Sequence, residues 1–147
     1  MKKKIILLAD HRGFRLKEFL KFKLLDSFLG WEVVDFNPTY NKDDDYPLLV
    51  KKAVKKIKQS DRGVFICGSG VGVCIAANRY KKIRAVNGHS VSEVELARKD
   101  DDVNVLCLAG NIVSTRKALA MINTLLKVSF KNQERYKRRV KQLKRMG

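Results

Sequence analysis

A cysteine that could act as a base, Cys67, ends a hydrophobic run and stands directly before the glycine-rich turn Gly68-Ser69-Gly70-Val71-Gly72. A helix that begins in this turn would direct its dipole and its free backbone amides towards the sulfur and stabilise negative charge there. A thiolate so placed suits abstraction of a proton next to a carbonyl, and the amides suit a phosphate or an enediolate oxygen. A small buried residue without chemistry is the alternative reading of Cys67. The glycine spacing, G-x-G-x-G, is not the dinucleotide-binding fingerprint.

A carboxylate and an imidazole stand side by side at Asp10 and His11, after the first apolar run. Imidazole titrates near neutral pH, so the pair could exchange protons with a ligand. A surface turn in which Asp10 caps the next helix is an equally good interpretation. Cys74 falls inside a helical stretch and Cys107 inside a strand, where packing roles are expected. Three cysteines and two histidines without ligand spacing predict no metal site and no disulfide framework.

The candidate residues follow the ends of predicted strands. Short apolar runs predict strands at residues 4–9, 31–36, 63–67, 83–86 and 103–109. Longer periodic runs predict helices at 14–29, from Pro47 to about 59, at 90–99, at 114–128 and from about 131. A short helix is also predicted after the glycine-rich turn, ending at Asn78. This alternation predicts one α/β domain over residues 1–147, a doubly wound, Rossmann-like, five-stranded parallel sheet with helices on both faces and an extra C-terminal helix. Ligands of such sheets bind outside the carboxyl ends of the strands.

Composition limits the classes of protein that fit. The chain has 147 residues and is 45% hydrophobic, which excludes general disorder. No apolar run approaches the length of a membrane span. The apolar stretch after Lys2 to Lys4 ends at Asp10, too early for a signal peptide. We expect a cytoplasmic protein with reduced thiols and no membrane partner.

The net charge of +17 is the one compositional anomaly. It suggests either a polyanion partner, such as nucleic acid, or a lysine-rich solvated surface. The basic residues are spread over 2–4, 51–58 and 127–147. A terminal helix laid along nucleic-acid phosphates would bind with a steep salt dependence. Only Phe130 and Tyr136 interrupt that stretch as aromatics, so we do not expect nucleic acid to be the main partner.

Taken in order, these motifs resemble the ribose-5-phosphate isomerase type B family, to which galactose-6-phosphate isomerase subunits are near relatives. The matching segments are Asp10-His11-Arg12-Gly13-Phe14, Asp45-Tyr46-Pro47, Ile66 to Gly72, Ile75-Ala76-Ala77-Asn78, Ile83-Arg84-Ala85-Val86 and Asn104-Val105-Leu106. Arg135 and Arg138-Arg139-Val140 look like the family's closing basic motif. The resemblance covers essentially the whole chain.

The resemblance implies an aldose–ketose isomerase that needs no metal or organic cofactor and interconverts D-ribose 5-phosphate and D-ribulose 5-phosphate through a cis-enediolate. It implies that Cys67 is the base and that Ser69 helps to move protons between the substrate oxygens. The amides at Gly68, Gly70 and Gly72 would hold the enediolate. Asp10, His11 and Tyr46 would contact the sugar or assist ring opening, and Arg135 and Arg139 would bind phosphate. It also implies a homodimer or tetramer whose sites combine residues of two subunits.

The chain departs from the family in three places. The family's His-Asn-Asp, whose histidine opens the sugar ring, reads Asp100-Asp101-Asp102. Asp100 is then the candidate acid–base group, although carboxylic acids titrate several units below imidazole, and Asp101 is a candidate substrate contact. A family arginine becomes Asn111, and Gly-Gly-Arg-His becomes Asn132-Gln133-Glu134-Arg135-Tyr136. Three outcomes stay open: a slower ribose-5-phosphate isomerase, an isomerase for another sugar phosphate such as the galactose 6-phosphate type, and a fold with weakened catalysis.

Overall fold

A computed structural model describes the backbone of residues 2–27 and 30–147, and their side chains except those of residues 26 and 27. Within these ranges the strands are β1 Lys3–Ala9, β2 Trp31–Asp35, β3 Arg62–Cys67, β4 Ala85–Asn87 and β5 Val105–Ala109. The helices are α1 Phe14–Ser27, α2 Tyr46–Val54, α3 Val71–Ala77, α4 Val91–Asp101, α5 Thr115–Lys127 and α6 Glu134–Arg145. Residues 28 and 29, which end the first predicted helix, lie outside the described part.

The five strands form one parallel sheet in the order β2-β1-β3-β5-β4, which confirms the predicted α/β class. Each strand connects to the next through a helix, as parallel neighbours require. The order reverses at β1 and β3, because the chain moves out to β2 and then returns past β1 to β3. A crevice therefore opens at the carboxyl ends of β1 and β3, where sheets of this type bind their ligands.

Both faces of the sheet are covered, which explains why the strands read as continuous apolar runs. Along β1, Ile5 and Leu7 pack on one side, against α1, α4 and α5. Ile6 and Leu8 pack on the other side, against α2 and α3. This alternation follows from the two-residue repeat of a strand, and it fixes which side chains point towards each helical layer.

Two predicted elements end elsewhere than the sequence suggests. The helix after Pro47 stops at Val54 instead of near residue 59, because the chain tightens into turns with Ile57 donating its amide to the Val54 carbonyl at 3.3 Å. This turn buries Ile57, which is 3% exposed. Strand β4 covers only residues 85–87. Ahead of it the Arg84 amide donates to the side chain of Asn104 at 2.8 Å.

The C-terminal helix α6 lies against α4. Its single buried residue is Val140, and the segment leading into it is attached to the end of α4 by the Lys131 amide, which donates to the Lys99 carbonyl at 3.0 Å. Among the residues that the structure describes, no helix is long and apolar enough to cross a lipid bilayer.

Candidate active site

A cavity of about 660 Å³ occupies the crevice at the carboxyl ends of β1 and β3. Seven residues predicted for the site line it together: Asp10, His11, Tyr46, Cys67, Gly68, Ser69 and Gly72. They come from the β1–α1 turn, the start of α2 and the β3–α3 turn. Gly70 belongs to the third of these turns but does not line the cavity. The remaining predicted residues, Asp100, Asp101, Arg135 and Arg139, do not line it either.

The position of Cys67 is set by the pairing of β3 with β5. The two strands align Cys67 opposite Ala109, and the carbonyl of Cys67 accepts the Gly110 amide at 2.7 Å. The residue is 5% exposed, so its surroundings hold the side chain at the inner end of the cavity. In contrast, Cys107 is wholly buried in β5 and burial raises the pKa of its thiol. That environment agrees with the packing role predicted for Cys107.

The turn after Cys67 has two positions that only glycine can occupy without strain. Gly70 has φ +76°, and a Cβ there would lie 2.5 Å from Asn87 Oδ1. A Cβ on Gly72 would lie 2.6 Å from Cζ of the Tyr46 ring. The ring of Tyr46 therefore packs directly on the backbone at the start of α3, where the first amides have no partner within the helix.

The hydroxyl of Ser69 is already oriented by its own turn. Its Oγ accepts the Val71 amide at 3.2 Å, which leaves the hydroxyl proton free to be donated. The side chain lines the cavity next to Cys67. A hydroxyl in this place can pass protons between neighbouring substrate oxygens.

Asp10 is not the N-cap of the next helix, which was the alternative interpretation, because α1 begins only at Phe14. It is 5% exposed, and its Oδ1 accepts the amides of Arg12 at 2.9 Å and Gly13 at 3.1 Å. These two bonds close the turn that leads into α1. Asp10 also lines the cavity, so it shapes the turn that presents His11 as well as the wall itself.

His11 is held by a residue that the sequence reasoning missed. Its Nδ1 lies 2.9 Å from Oδ1 of Asp44, and the same oxygen accepts the His11 amide at 3.0 Å. The hydrogen bond at one ring nitrogen sets which of the two nitrogens carries the proton. Because Asp44 holds Nδ1, the other nitrogen, Nε2, is left to contact a ligand. The signal for Asp44 was weak, since it is the second of three consecutive aspartates in a loop.

The donor atoms of Asp10, His11 and Asp44 lie within 4.8 Å of one another, the spacing that a metal ion would need. Their protein contacts already account for this arrangement. Oδ1 of Asp10 and Oδ1 of Asp44 each accept backbone amides, and Asp44 also pairs with His11. The cluster is therefore explained by its hydrogen bonds.

The loop that carries Asp44 is anchored by a buried ion pair. Lys17 is fully buried, and its Nζ donates to Oδ1 of Asp35 at 2.6 Å and to the Asn37 carbonyl at 2.9 Å. Lys21 reaches the other oxygen of Asp35 at 2.8 Å. Burial alone would raise the pKa of Asp35, but the hydrogen bonds from the two lysines outweigh it and lower that pKa below its ordinary value.

A second residue missed by the sequence reasoning, Arg12, brings positive charge into the cavity. Its side chain lies against Gly68, where a Cβ would be 2.9 Å from Arg12 Cδ and 3.0 Å from Nδ2 of Asn111. Asn111, which the sequence resemblance aligns with an arginine of the family, also lines the cavity. Arg12 therefore places a guanidinium next to Asn111, where the chain itself has no arginine.

The other predicted residues form a separate cluster at the end of α4. Lys131 Nζ lies 3.0 Å from Oδ1 of Asp100, and it donates to the Tyr136 hydroxyl at 3.1 Å. The guanidinium carbons of Arg135 and Arg139 lie 5.3 Å and 5.9 Å from the centre of the Tyr136 ring. Asp100 and then Tyr136 raise the pKa of Lys131. Arg135 and then Lys131 lower the pKa of Tyr136.

Within one chain this cluster does not meet Cys67. The helix α4 runs back from the carboxyl end of β4 to the amino end of β5, so Asp100 and Asp101 lie at the opposite edge of the sheet. The six residues of β3 alone separate the two edges by about 17 Å at the rise of a strand. Asp101 lines another cavity, with Arg79 and Leu143, and not the cavity that contains Cys67.

Comparison with known proteins agrees with this geometry. A family model described as Ribose/Galactose Isomerase matches residues 5–143. A Mycoplasma genitalium protein named "Probable ribose-5-phosphate isomerase B" is 38% identical over 140 residues, which is 92% of this chain and 90% of that protein. D-erythrulose-4-phosphate isomerase 2 of Mycolicibacterium smegmatis is 34% identical, with 88% of each chain covered.

A solved structure is also similar over nearly the whole chain. Ribose-5-phosphate isomerase B from Mycoplasma genitalium, determined with bound ribulose-5-phosphate, superposes with a TM-score of 0.86. It is 35% identical, and the match covers 99% of this chain and 96% of that one.

Proposed function

This chain belongs to the ribose/galactose isomerase family, and from that membership we propose that it interconverts D-ribose 5-phosphate and D-ribulose 5-phosphate. The observation that carries the proposal is the cavity at the carboxyl ends of β1 and β3. It combines Cys67, Ser69 and the glycine turn with the ring of Tyr46 and the His11 imidazole. These are the groups that proton transfer beside a carbonyl requires.

The proposed chemistry begins with the ring-opened aldose. The thiolate of Cys67 takes the proton from C2, and the electron pair moves towards the carbonyl to give a cis-enediolate with its negative charge on O1. The amides of residues 68–72 stabilise this charge as it develops. The thiol then returns the proton to C1, while the Ser69 hydroxyl carries a proton from O2 to O1. The sum of these steps moves hydrogen between two carbons and needs no outside oxidant or reductant.

We further propose that two subunits of the single-domain chain build each site. In this proposal Asp100 of one subunit opens the ring of a sugar held by the other, and Arg135 and Arg139 bind its phosphate. Support comes from the placement of the two clusters at opposite edges of the sheet, which the length of β3 alone sets about 17 Å apart within one chain. A symmetric dimer brings such surfaces together twice, because an isologous contact repeats every pairing.

The direct test is a coupled assay with purified Cys67→Ala. Removal of a general base typically lowers turnover by about 10²- to 10⁴-fold, and we expect a loss in that range for ribose 5-phosphate. Cys74→Ala is the matched control, since Cys74 is half-buried on α3 and does not line the cavity. Full turnover by Cys67→Ala would remove the thiol from the mechanism.

A second candidate substrate class has one observation in its favour. Asn111, which the sequence resemblance aligns with an arginine of the family, is a neutral residue in the wall of the cavity, so this wall carries less positive charge than the family pattern implies. A relative with 34% identity is named for a four-carbon sugar phosphate. Turnover measured side by side on four-, five- and six-carbon sugar phosphates separates the candidates by their kcat/KM values.

A further inference from the structure

A second cavity lies at the amino-terminal edge of the sheet, opposite the one that contains Cys67. Its volume is about 540 Å³, within the range of small-molecule sites. Its walls come from residues 57–59, which precede β3, residues 81, 82 and 84, which precede β4, and residues 102 and 104, which precede β5. Lys144 of α6 completes it. We call it the amino-edge cavity.

The amino-edge cavity is strongly positive. Its charged lining residues are Lys58, Lys81, Lys82, Arg84, Lys144 and Asp102, five cations and one carboxylate. The carboxylate is already occupied, since Asp102 pairs with Arg84 at 3.1 Å and with the buried Arg98 at 2.9 Å. Like charges gathered around one concave surface raise the local potential and attract anions.

Two of the cations are fixed in place by the backbone. Lys82 Nζ donates to the Ile57 carbonyl at 2.8 Å. Arg84 Nε donates to the carbonyls of Asp101 and Asp102 at 3.1 and 2.9 Å. Their charges are therefore held at the cavity wall before any ligand arrives, which lowers the entropic cost of binding.

The other three lysines are available to a ligand. Lys58, Lys81 and Lys144 come from three separate segments of the chain, and all three are exposed. Among the side chains that the structure describes, none forms an ion pair or a side-chain hydrogen bond with these three ammonium groups. They can close on an anion from three sides.

A further guanidinium behind the wall adds to the excess of positive charge. Arg62 Nε is buried and has no hydrogen-bond partner among the described residues. Burial, and then repulsion from Arg98, lowers the pKa of Arg62 to about 10. An anion bound near these guanidinium groups would reduce the repulsion between Arg62 and Arg98.

We propose that the amino-edge cavity binds a small molecule with two adjacent phosphoryl groups. The lining has four more cations than carboxylates, and two phosphoryl groups bring a charge of about −3 to −4, at roughly −1.5 to −2 each. The single phosphate of a sugar phosphate brings half of that. The concave, three-sided lining suits a compact ligand, whereas nucleic acid binds along an extended row of cations.

The test is calorimetric titration of the full chain with inorganic pyrophosphate, in a metal-free buffer at pH 8 with 150 mM potassium chloride. We expect one site per chain, weaker binding of orthophosphate, and no displacement by saturating ribulose 5-phosphate. Lys81→Gln/Lys144→Gln should weaken pyrophosphate binding by about tenfold or more, because it removes two charged contacts. Lys23→Gln/Lys127→Gln removes the same charge from exposed positions outside the cavity and should leave the affinity within about twofold.

Several results would overturn the proposal. They are an absence of pyrophosphate binding, an equal loss of affinity in both double variants, and displacement by ribulose 5-phosphate, which would assign the anion to the Cys67 cavity. Binding of a 20-base-pair DNA duplex that competes with pyrophosphate and is weakened by the same two substitutions would assign the surface to nucleic acid. Circular dichroism of each variant establishes that it is folded. Loss of isomerase activity does not bear on this test, so the two proposals fail independently.

Discussion

His11 and Asp44 form a two-point contact at the mouth of the Cys67 cavity, in which one carboxylate oxygen holds both the ring nitrogen at 2.9 Å and the backbone amide at 3.0 Å. Asp44→Ala removes both bonds and leaves the imidazole free to rotate. Misplacement of a catalytic group by about 1 Å can cost roughly 100-fold in rate, and we expect kcat/KM for ribose 5-phosphate to fall by about 10- to 100-fold. Asp43→Ala is the control, as its exposed side chain precedes the pair. Equal effects of the two substitutions would contradict the assignment.

Arg12 should act in substrate binding. Its guanidinium lies beside Gly68 and Asn111 in the cavity, and hydrogen bonds from a cation to phosphate are among the strong ones. Arg12→Gln is expected to raise KM by about tenfold with a smaller effect on kcat. Asn111→Arg in the same background should restore part of the loss. Arg15→Gln, an exposed change on α1, serves as the control, and an unchanged KM in Arg12→Gln would exclude the contact.

Asp100 can be tested with an aldose that has no ring to open. Ribose 5-phosphate is mostly cyclic and must be opened, whereas erythrose 4-phosphate cannot close a furanose ring because its 4-hydroxyl carries the phosphate. Asp100→Asn should therefore lower kcat/KM for ribose 5-phosphate by about 10²-fold, as loss of a general acid–base group does, with a much smaller effect on erythrose 4-phosphate. Initial rates with the two aldoses measure this difference. Equal losses with both aldoses would point to a structural role of the ion pair with Lys131.

A shared site predicts complementation between two inactive variants. Cys67→Ala and Arg139→Ala should each be nearly inactive alone, because each damages a different half of every site. Mixed subunits of a symmetric dimer would contain one site with neither change, so an equal mixture should recover about a quarter of wild-type activity. The measurement is turnover after the variants are unfolded and refolded together. If each chain builds its own site, mixing restores nothing.

The ion pair below the Asp44 loop predicts an acid-sensitive stability. The pKa of Asp35 is lowered in the folded chain, so its contribution is fully present above its unfolded pKa and is lost as the pH falls through the lower folded value. Asp35→Asn leaves the buried Lys17 ammonium with Glu18 as its remaining carboxylate partner, at 3.1 Å, and should cost about 1.5 to 3 kcal/mol at pH 7, as loss of a hydrogen bond to a charged group does. Urea unfolding at pH 7 and pH 3 measures both effects.

The control for this pair is Lys17→Met, which removes the buried charge and keeps much of the volume. Asp35 retains Lys21 as a partner at 2.8 Å, so this substitution should destabilise less than Asp35→Asn. The difference between the two variants should shrink at acid pH. A larger cost for Lys17→Met would mean that the ammonium stabilises the loop mainly through its other partners, Glu18 and the Asn37 carbonyl, and not through Asp35.

The sequence predicts the sheet well because its strands are buried on both faces. Runs such as Ile5 to Ala9 have the length and the continuous apolar character of buried strands, and the turns that follow β1 and β3 then lie at the same edge. The residues at which helices and strands begin and end are less predictable where a side-chain contact decides them. The turn that buries Ile57 and the bond from Asn104 to the Arg84 amide depend on residues distant in sequence.

The candidate site shows the same division. Cys67 and the glycines can be predicted from the sequence, because a cysteine at the end of an apolar strand followed by a glycine-rich turn indicates a site at the start of a helix. Asp44 and Arg12 are not, because one is defined by its contact with His11 and the other by its approach to Gly68. That Asp100 and Arg135 lie away from Cys67 follows only from the path of α4 across the sheet.

The placement of Cys67 and Asp100 at opposite edges of one chain also affects how this gene can diverge after duplication. With sites shared between two subunits, as we propose, one copy could lose its thiol while the other loses its carboxylate, and every mixed pair would still contain one complete site. Neither copy would then be dispensable, although each alone would test as inactive. Where a genome encodes two such chains, the two proteins should therefore be co-expressed and assayed together before either is described as inactive.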